Sequence, residues 1–120
     1  MKHVLVVDDN VDIRRLLSIC LSAQYEVIEA DNGPAALYSI RKYHPAAVLL
    51  DVMMPGEIDG LQVLDAVKSN PETKDIPIAM VTAHGQKADS EDAKRRGADA
   101  YFIKPFSPLQ VVAWVQGLVH

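Results

Sequence analysis

The chain has 120 residues, a length that suits one domain with a single hydrophobic core. Apolar residues make up 49% of it and charged residues 23%, as in ordinary globular proteins, and the net charge of −4 argues against direct binding to nucleic acid or to an anionic membrane surface. No apolar run approaches the roughly 20 residues that cross a bilayer, and the single cysteine, Cys20, has no internal partner for a disulfide, so the cytoplasm is the expected compartment.

Short apolar runs alternate with amphipathic segments in the first half of the chain. Asn10 or Asp9 can cap the first helix, and Pro45 ends the second. The predicted elements are 4–7 (strand), 10–23 (helix), 25–30 (strand), 34–43 (helix) and 46–50 (strand). The apolar face of the first helix is predicted to consist of Ile13, Leu16, Leu17, Cys20 and Leu21.

The same alternation continues in the second half. The predicted elements are 60–69 (helix), 76–83 (strand), 86–96 (helix), 100–103 (strand) and a last helix that opens at Ser107-Pro108. The segment 86–96 has few apolar residues, so we expect its helix to be the least tightly held. The last helix carries Leu109, Val112, Ala113, Val115, Gln116 and Val119.

Five strands and five helices in strict alternation predict an α/β fold with a parallel sheet covered on both faces. Right-handed crossovers in a chain this short favour a flavodoxin-like (βα)5 three-layer sandwich with strand order 2-1-3-4-5. Residues 1–120 are expected to form this one domain, without an effector domain in the chain.

Four of the strands end in polar side chains: Asp8 and Asp9, Asp51, Thr82 and Lys104. The carboxyl ends of parallel strands meet at one edge of a sheet, so these groups should share a crevice. Paired carboxylates at a buried edge repel each other, and Mg²⁺ would offset that cost. Each residue alone also has a plain structural explanation: Asp8–Asp9 as a turn and helix cap, Lys104 as an ion pair with Asp51, and Thr82 as a hydroxyl bonded to backbone.

Together, the five side chains suit phosphoryl transfer. Asp51 is the best candidate nucleophile, because Asp8 and Asp9 are better placed to hold a metal, and attack on phosphorus would give an aspartyl phosphate. Lys104 and Thr82 can stabilise the transferred oxygens, since this reaction depends mainly on positioning and electrostatics.

These residues and their neighbours resemble the receiver domain of two-component response regulators, of the chemotaxis-type single-domain kind, over the whole chain. The motifs that carry the resemblance are Val6-Val7-Asp8-Asp9-Asn10, Leu49-Leu50-Asp51-Val52-Met53-Met54-Pro55-Gly56, Asp59-Gly60, Val81-Thr82-Ala83 and Tyr101-Phe102-Ile103-Lys104-Pro105-Phe106.

The resemblance implies that a sensor histidine kinase or a histidine phosphotransfer protein phosphorylates Asp51 from a phosphohistidine. It implies Mg²⁺ (or Mn²⁺) held directly by Asp9 and Asp51, by the backbone carbonyl of Met53, and by Asp8 through water.

The resemblance also implies a switch. Thr82 and Lys104 would contact the phosphoryl group, Thr82 would move towards it, and Tyr101 would turn inward. The surface of the fourth helix, fifth strand and fifth helix would then bind a downstream protein partner or a second copy of the chain. Tyr101 is equally well explained as an ordinary half-buried strand aromatic.

Two departures from the family pattern bear on the site. Gly56, Glu57 and Ile58 stand between Pro55 and Asp59, one residue more than the commonest spacing, so we expect a bulge in this loop. Met53 and His84 lie two residues beyond Asp51 and Thr82, at positions that flank the path of the hydrolytic water in the family. An apolar side chain and an imidazole there are expected to slow or redirect self-dephosphorylation.

The leading interpretation is a phosphorylation-dependent signalling switch, either alone or as the receiver of a longer regulator, and not an enzyme with an external substrate. Two other functions remain open. One is a receiver-like interaction module that is never phosphorylated. The other is a phosphohydrolase with Asp51 as nucleophile, which would need a substrate pocket and a general acid.

Overall fold

The computed structural model describes residues 2–83 and 87–118, which form ten alternating elements. They are β1 (His3–Val7), α1 (Val11–Leu21), β2 (Glu26–Ala30), α2 (Gly33–Tyr43), β3 (Ala47–Asp51), α3 (Gly60–Ser69), β4 (Ile78–Thr82), α4 (Lys87–Arg95), β5 (Ala100–Ile103) and α5 (Pro108–Leu118). Within these residues, no helix combines the length and the apolar character that crossing a membrane requires. The predicted alternation is confirmed, and no predicted element end differs from the observed one by more than two residues.

The five strands form one parallel sheet in the order β2-β1-β3-β4-β5, as predicted. In its register, Val7 lies opposite Leu50, Asp51 opposite Val81, and Thr82 opposite Ile103. Four strands therefore end almost level with one another. The residues that follow them share one edge of the sheet.

The hydrophobic core has two halves, one on each face of the sheet. Alternate strand residues such as Leu5 and Val7 pack with α2, α3 and α4, whereas Val4 and Val6 pack with α1 and α5. Every residue of β3 and β4 is buried, as expected for central strands of a covered parallel sheet. The fold is thus the predicted flavodoxin-like three-layer sandwich.

Short polar side chains mark the starts of three helices. Asn10 caps α1 by accepting from the backbone N–H groups of Asp12 and Ile13, which decides between the two predicted caps. Asn32 caps α2, and Asp59 and Gln62 form a reciprocal capping box at the start of α3. All three caps lie at the same edge of the sheet as the strand ends.

The predicted apolar face of α1 is wrong in part, and the buried face of α5 uses few of the residues named for that helix. Leu17 and Leu21 are buried in α1, but Leu16 is exposed. In α5 the buried residues are Val111 and Val115, and Leu109 is 81% exposed. Two residues correspond to about 200° around a helix, so Leu109 points away from the face that Val111 presents to the sheet. Val119 lies outside the described residues.

The C-terminal end of α4 is fastened by charged side chains. Ala93 is fully buried against the core, while Arg96, just beyond the helix, contacts Asp65 of α3 at 2.9 Å and Asp92 at 3.2 Å. Lys94 and Arg95 are exposed. This basic run is therefore a solvated helix end, apart from Arg96, which ties α4 to α3.

Candidate functional site

Three carboxylates meet at the shared edge of the sheet. Asp8 and Asp9 follow β1, Asp51 is the last residue of the neighbouring β3, and one oxygen of each lies within 4.8 Å of the others. Asp8 is 2% exposed and Asp51 4%, whereas Asp9 is open to solvent. The parallel pairing of β1 with β3 is what brings the three side chains together.

Lys104 reaches this acidic cluster from β5. Its Nζ lies 2.8 Å from Asp8 Oδ2 and 3.7 Å from Asp51 Oδ2, so its shorter ion pair is with Asp8 and not with Asp51. The backbone N–H of Lys104 donates to the carbonyl of Thr82 at 2.7 Å, which extends the β4–β5 pairing by one residue. The ammonium thus counters two buried carboxylates at once.

The electrostatics of the cluster centre on Asp51. The pKa of Asp51 is raised to about 7, chiefly by burial and next by the charge of Asp8, while Lys104 and the Met53 N–H act in the opposite direction. Three carboxylates face one ammonium here. The cluster therefore carries more negative charge than its own residues balance.

This donor set fits a divalent cation. Mg²⁺ prefers hard carboxylate oxygens and keeps several waters, which an open position beside the exposed Asp9 allows. A cation among the three carboxylates would also relieve the repulsion that raises the pKa of Asp51. Asp8, Asp9 and Asp51 are the residues that could hold it.

Met53 and Thr82 flank the cluster. The Met53 N–H lies 3.4 Å from Asp51 Oδ1, and its side chain is 59% exposed. Thr82 is fully buried at the end of β4, one residue beyond Val81, the register partner of Asp51. Thr82 is therefore at the same edge as the carboxylates, two strands from Asp8.

Tyr101 lies farther from the edge. It stands opposite Met80 in the β4–β5 pairing, half-buried against the core half that includes Ala93 of α4. Tyr101 thus lies on the face of the sheet that packs against α4. His84, expected to flank the path of the hydrolytic water, lies outside the described residues.

The loop between β3 and α3 is held by Ile58. A Cβ on Gly33, at the start of α2, would lie 2.6 Å from both the carbonyl oxygen and Cγ2 of Ile58. Gly56 has a φ of +99°, and it and Glu57 are exposed. The segment with the extra residue therefore has an exposed tip at 56–57 and an anchored end at Ile58.

Two residues that sequence reasoning did not assign also shape the site. A Cβ on Gly60 would lie 1.9 Å from the Asp51 carbonyl oxygen, so only glycine allows α3 to start there. Arg14 Nη1 donates to the Asp8 carbonyl at 2.7 Å. The Asp59-Gly60 pair is a visible signal for the first. Arg14 has no such signal, because a side chain that contacts a backbone carbonyl does not require any particular residue type at its partner.

Comparison with protein families agrees with the geometry. The model of the response regulator receiver domain matches residues 4–116. A probable transcriptional regulator ycf27 of Cyanophora paradoxa is 44% identical over 120 residues, and the transcriptional regulatory protein SrrA of Staphylococcus aureus (strain NCTC 8325 / PS 47) is 40% identical over 119. These matches cover 99% and 98% of the chain. They cover 48% of each relative, so the chain spans about half the length of these curated relatives.

Solved structures match over nearly the whole chain. The chemotaxis protein CheY4 of Vibrio cholerae superposes with a TM-score of 0.89 at 32% identity, covering 99% of both chains. The BeF3-activated DrrB receiver domain gives 0.87 at 28% identity, covering 99% of this chain and 97% of the other. With this fold and the acidic cluster at its strand ends, the chain belongs to the response regulator receiver domain family.

Proposed function

We propose that the protein is a phosphorylation-dependent signalling switch whose phosphoacceptor is Asp51. The observation that carries this proposal is the convergence of Asp8, Asp9 and Asp51 within 4.8 Å, with Lys104 bonded to Asp8 beside them. The donor is a phosphohistidine on a sensor histidine kinase or a histidine phosphotransfer protein, in keeping with the interaction of receiver domains with histidine kinases.

In the proposed step, an Asp51 carboxylate oxygen attacks the phosphorus of the phosphohistidine. The new O–P bond forms as the P–N bond breaks, and the electron pair of that bond goes to the imidazole nitrogen. Lys104 counters the charge that gathers on the transferred oxygens. Mg²⁺, or Mn²⁺, when bound by Asp8, Asp9, Asp51 and the Met53 carbonyl, neutralises charge and orients the phosphoryl group.

The phosphorylated state is proposed to be read by Thr82 and Tyr101. A charge of about −2 on Asp51 favours a hydroxyl and an ammonium close to it, and Thr82 and Lys104 supply these. Tyr101 packs against the core half that contains Ala93, so its movement would change the surface of α4, β5 and α5. That surface is the proposed docking site for a downstream protein or for a second copy of the chain.

The output of the switch is proposed to pass through such protein contacts. The relatives named as transcriptional regulators are about twice as long as this chain. This difference in length fits a receiver that acts on an effector, whether the effector is joined to it or is a separate protein. We also propose a cytoplasmic location.

Mass measurement after incubation with Mg²⁺ and acetyl phosphate tests the phosphoacceptor. We expect one phosphoryl group per chain, lost in Asp51→Asn and kept in Asp75→Asn, an exposed carboxylate at the opposite edge of the sheet. Release of phosphate without an adduct would indicate a phosphohydrolase. If the protein forms no adduct and releases no phosphate, it is an interaction module that is not phosphorylated. Either result would refute the switch.

A further inference from the structure

We propose that Arg14 is a positioning residue for the acidic cluster: it fixes the peptide between Asp8 and Asp9 and thereby sets the affinity for Mg²⁺. The inference rests on the proposed function, because it concerns the metal site of that function. It goes further by assigning a role to a basic side chain outside the cluster.

Arg14 is clamped between two elements. Its Nη1 donates to the Asp8 carbonyl at 2.7 Å, and its Nε donates to Glu29 Oε1 of β2 at 3.2 Å. The side chain is only 16% exposed. A planar guanidinium held at two points on adjacent parts of the sheet has little freedom, so it can hold the carbonyl in one orientation.

The Asp8 carbonyl belongs to the peptide group that leads into Asp9. On the other side of Asp9, the Asn10 N–H donates to Asp8 Oδ1 at 2.9 Å. The backbone is therefore held before and after Asp9, whose own carboxylate is exposed. Partners that orient metal ligands from outside the coordination shell govern affinity, and Arg14 would do so through backbone.

Charge and position predict opposite effects when Arg14 is removed. The guanidinium is a cation next to a site for a cation, so loss of its charge alone should tighten Mg²⁺ binding. Loss of its bond to the Asp8 carbonyl should instead free the peptide and weaken Mg²⁺ binding. The direction of the change therefore identifies the role.

Calorimetric titration of the unphosphorylated protein with Mg²⁺ at fixed ionic strength makes this comparison. We expect Arg14→Met to weaken binding about tenfold, the lower end of what such outer partners contribute. Arg14→Lys keeps the charge and one donor and should recover part of the loss. Arg15→Met removes the same charge from the next, exposed position of α1 and should leave the affinity equal or slightly tighter.

Amide hydrogen exchange of the metal-free protein gives a second readout. The Asn10 amide, bonded to Asp8 Oδ1, should exchange faster in Arg14→Met than in the parent or in Arg15→Met. Urea unfolding of each variant confirms that folded protein is compared, and Arg14→Lys carries the test if Arg14→Met does not fold.

The outcomes separate the two proposals. Equal or tighter Mg²⁺ binding by Arg14→Met, with unchanged Asn10 exchange, would overturn the role of Arg14 and leave the switch standing. A parent that binds no Mg²⁺ would overturn both.

Discussion

Asp51 is a costly residue for the metal-free fold. It is 4% exposed, next to the buried Asp8, and its pKa is raised to about 7, chiefly by burial. An unfolded chain holds such a carboxyl at an ordinary pKa near 3.8. Because folding favours its protonated form, the contribution of Asp51 to stability is fully present below about pH 4. It is lost as the pH rises towards 7.

The first prediction follows from this pH dependence. In EDTA, Asp51→Asn should raise the free energy of unfolding by about 2 kcal/mol at pH 8 and by little at pH 4. Asparagine keeps an acceptor for the Met53 N–H without the charge. Urea titration at the two pH values measures the difference. Asp75→Asn is the control, and an equal effect of Asp51→Asn at both pH values would contradict the stated cause.

A second prediction concerns Met53. Its side chain is exposed while its N–H faces Asp51 Oδ1, so it lies at the mouth of the cluster. Asparagine there can hydrogen-bond a water, which the thioether does only weakly. Met53→Asn should therefore shorten the lifetime of the aspartyl phosphate severalfold, measured by loss of the adduct after the phosphodonor is removed. Met53→Leu keeps an apolar side chain and should leave the lifetime near that of the parent.

At the level of elements, two helical glycines form a matched pair. Both gain helix propensity from alanine, but a Cβ on Gly33 would lie 2.6 Å from Ile58, whereas a Cβ on Gly117 in α5 would have nothing within 4 Å. Gly33→Ala should lower the free energy of unfolding by about 1–3 kcal/mol, as overpacking does. Gly117→Ala should raise it by up to about 1 kcal/mol. Urea titration of both variants measures these changes. Similar changes in the free energy of unfolding would show that Ile58 can move away from an added methyl group, and would contradict the prediction.

The same contact should affect the site. Ile58 ends the loop that begins after Asp51, so a displaced Ile58 disturbs the path of that loop. We expect Gly33→Ala to weaken Mg²⁺ binding as well, whereas Gly117→Ala should not. The packing contact between Gly33 and Ile58 thus links the path of the loop to the metal site.

For the whole molecule, burial predicts an uneven stability. β3 and β4 are buried throughout, whereas Ala93 is the fully buried residue among the described side chains of α4. Native-state hydrogen exchange should therefore give a lower free energy of opening for the amides of α4 than for those of β3. The α3 amides serve as the comparison, since Val63, Leu64 and Val67 anchor that helix. Equal protection of α3 and α4 would contradict the prediction.

Much of the fold could be predicted because its signals are local. Apolar strand runs and the helix caps at Asn10 and Asp59 mark the elements, and alternation with right-handed crossovers leaves few sheet orders. The face of α5 could not be predicted in the same way. With Val112, Ala113 and Trp114 in succession, α5 is apolar nearly all round, so packing against α1 and the sheet decides which residues are buried.

The meeting of Asp8, Asp9, Asp51 and Lys104 was predicted from the strand ends alone. The contacts inside the cluster were not. Whether Lys104 lies nearer to Asp8 or to Asp51 depends on side-chain conformation across the sheet edge, on which residue types give no information. Loop 52–59 is similar, because its path depends on a packing contact with Gly33, far away in the sequence.

The close approach of Gly60 to the Asp51 carbonyl restricts the acidic cluster on one side. α3 begins against the backbone of the last residue of β3, with no room even for a methyl group, and its Gly60 N–H is bonded to Val52. The backbone of Asp51 therefore cannot move towards α3. Added bulk or charge at its carboxylate therefore cannot be relieved by movement of the Asp51 backbone towards α3. A backbone that is fixed on this side of Asp51 would give the response to a local chemical change a direction.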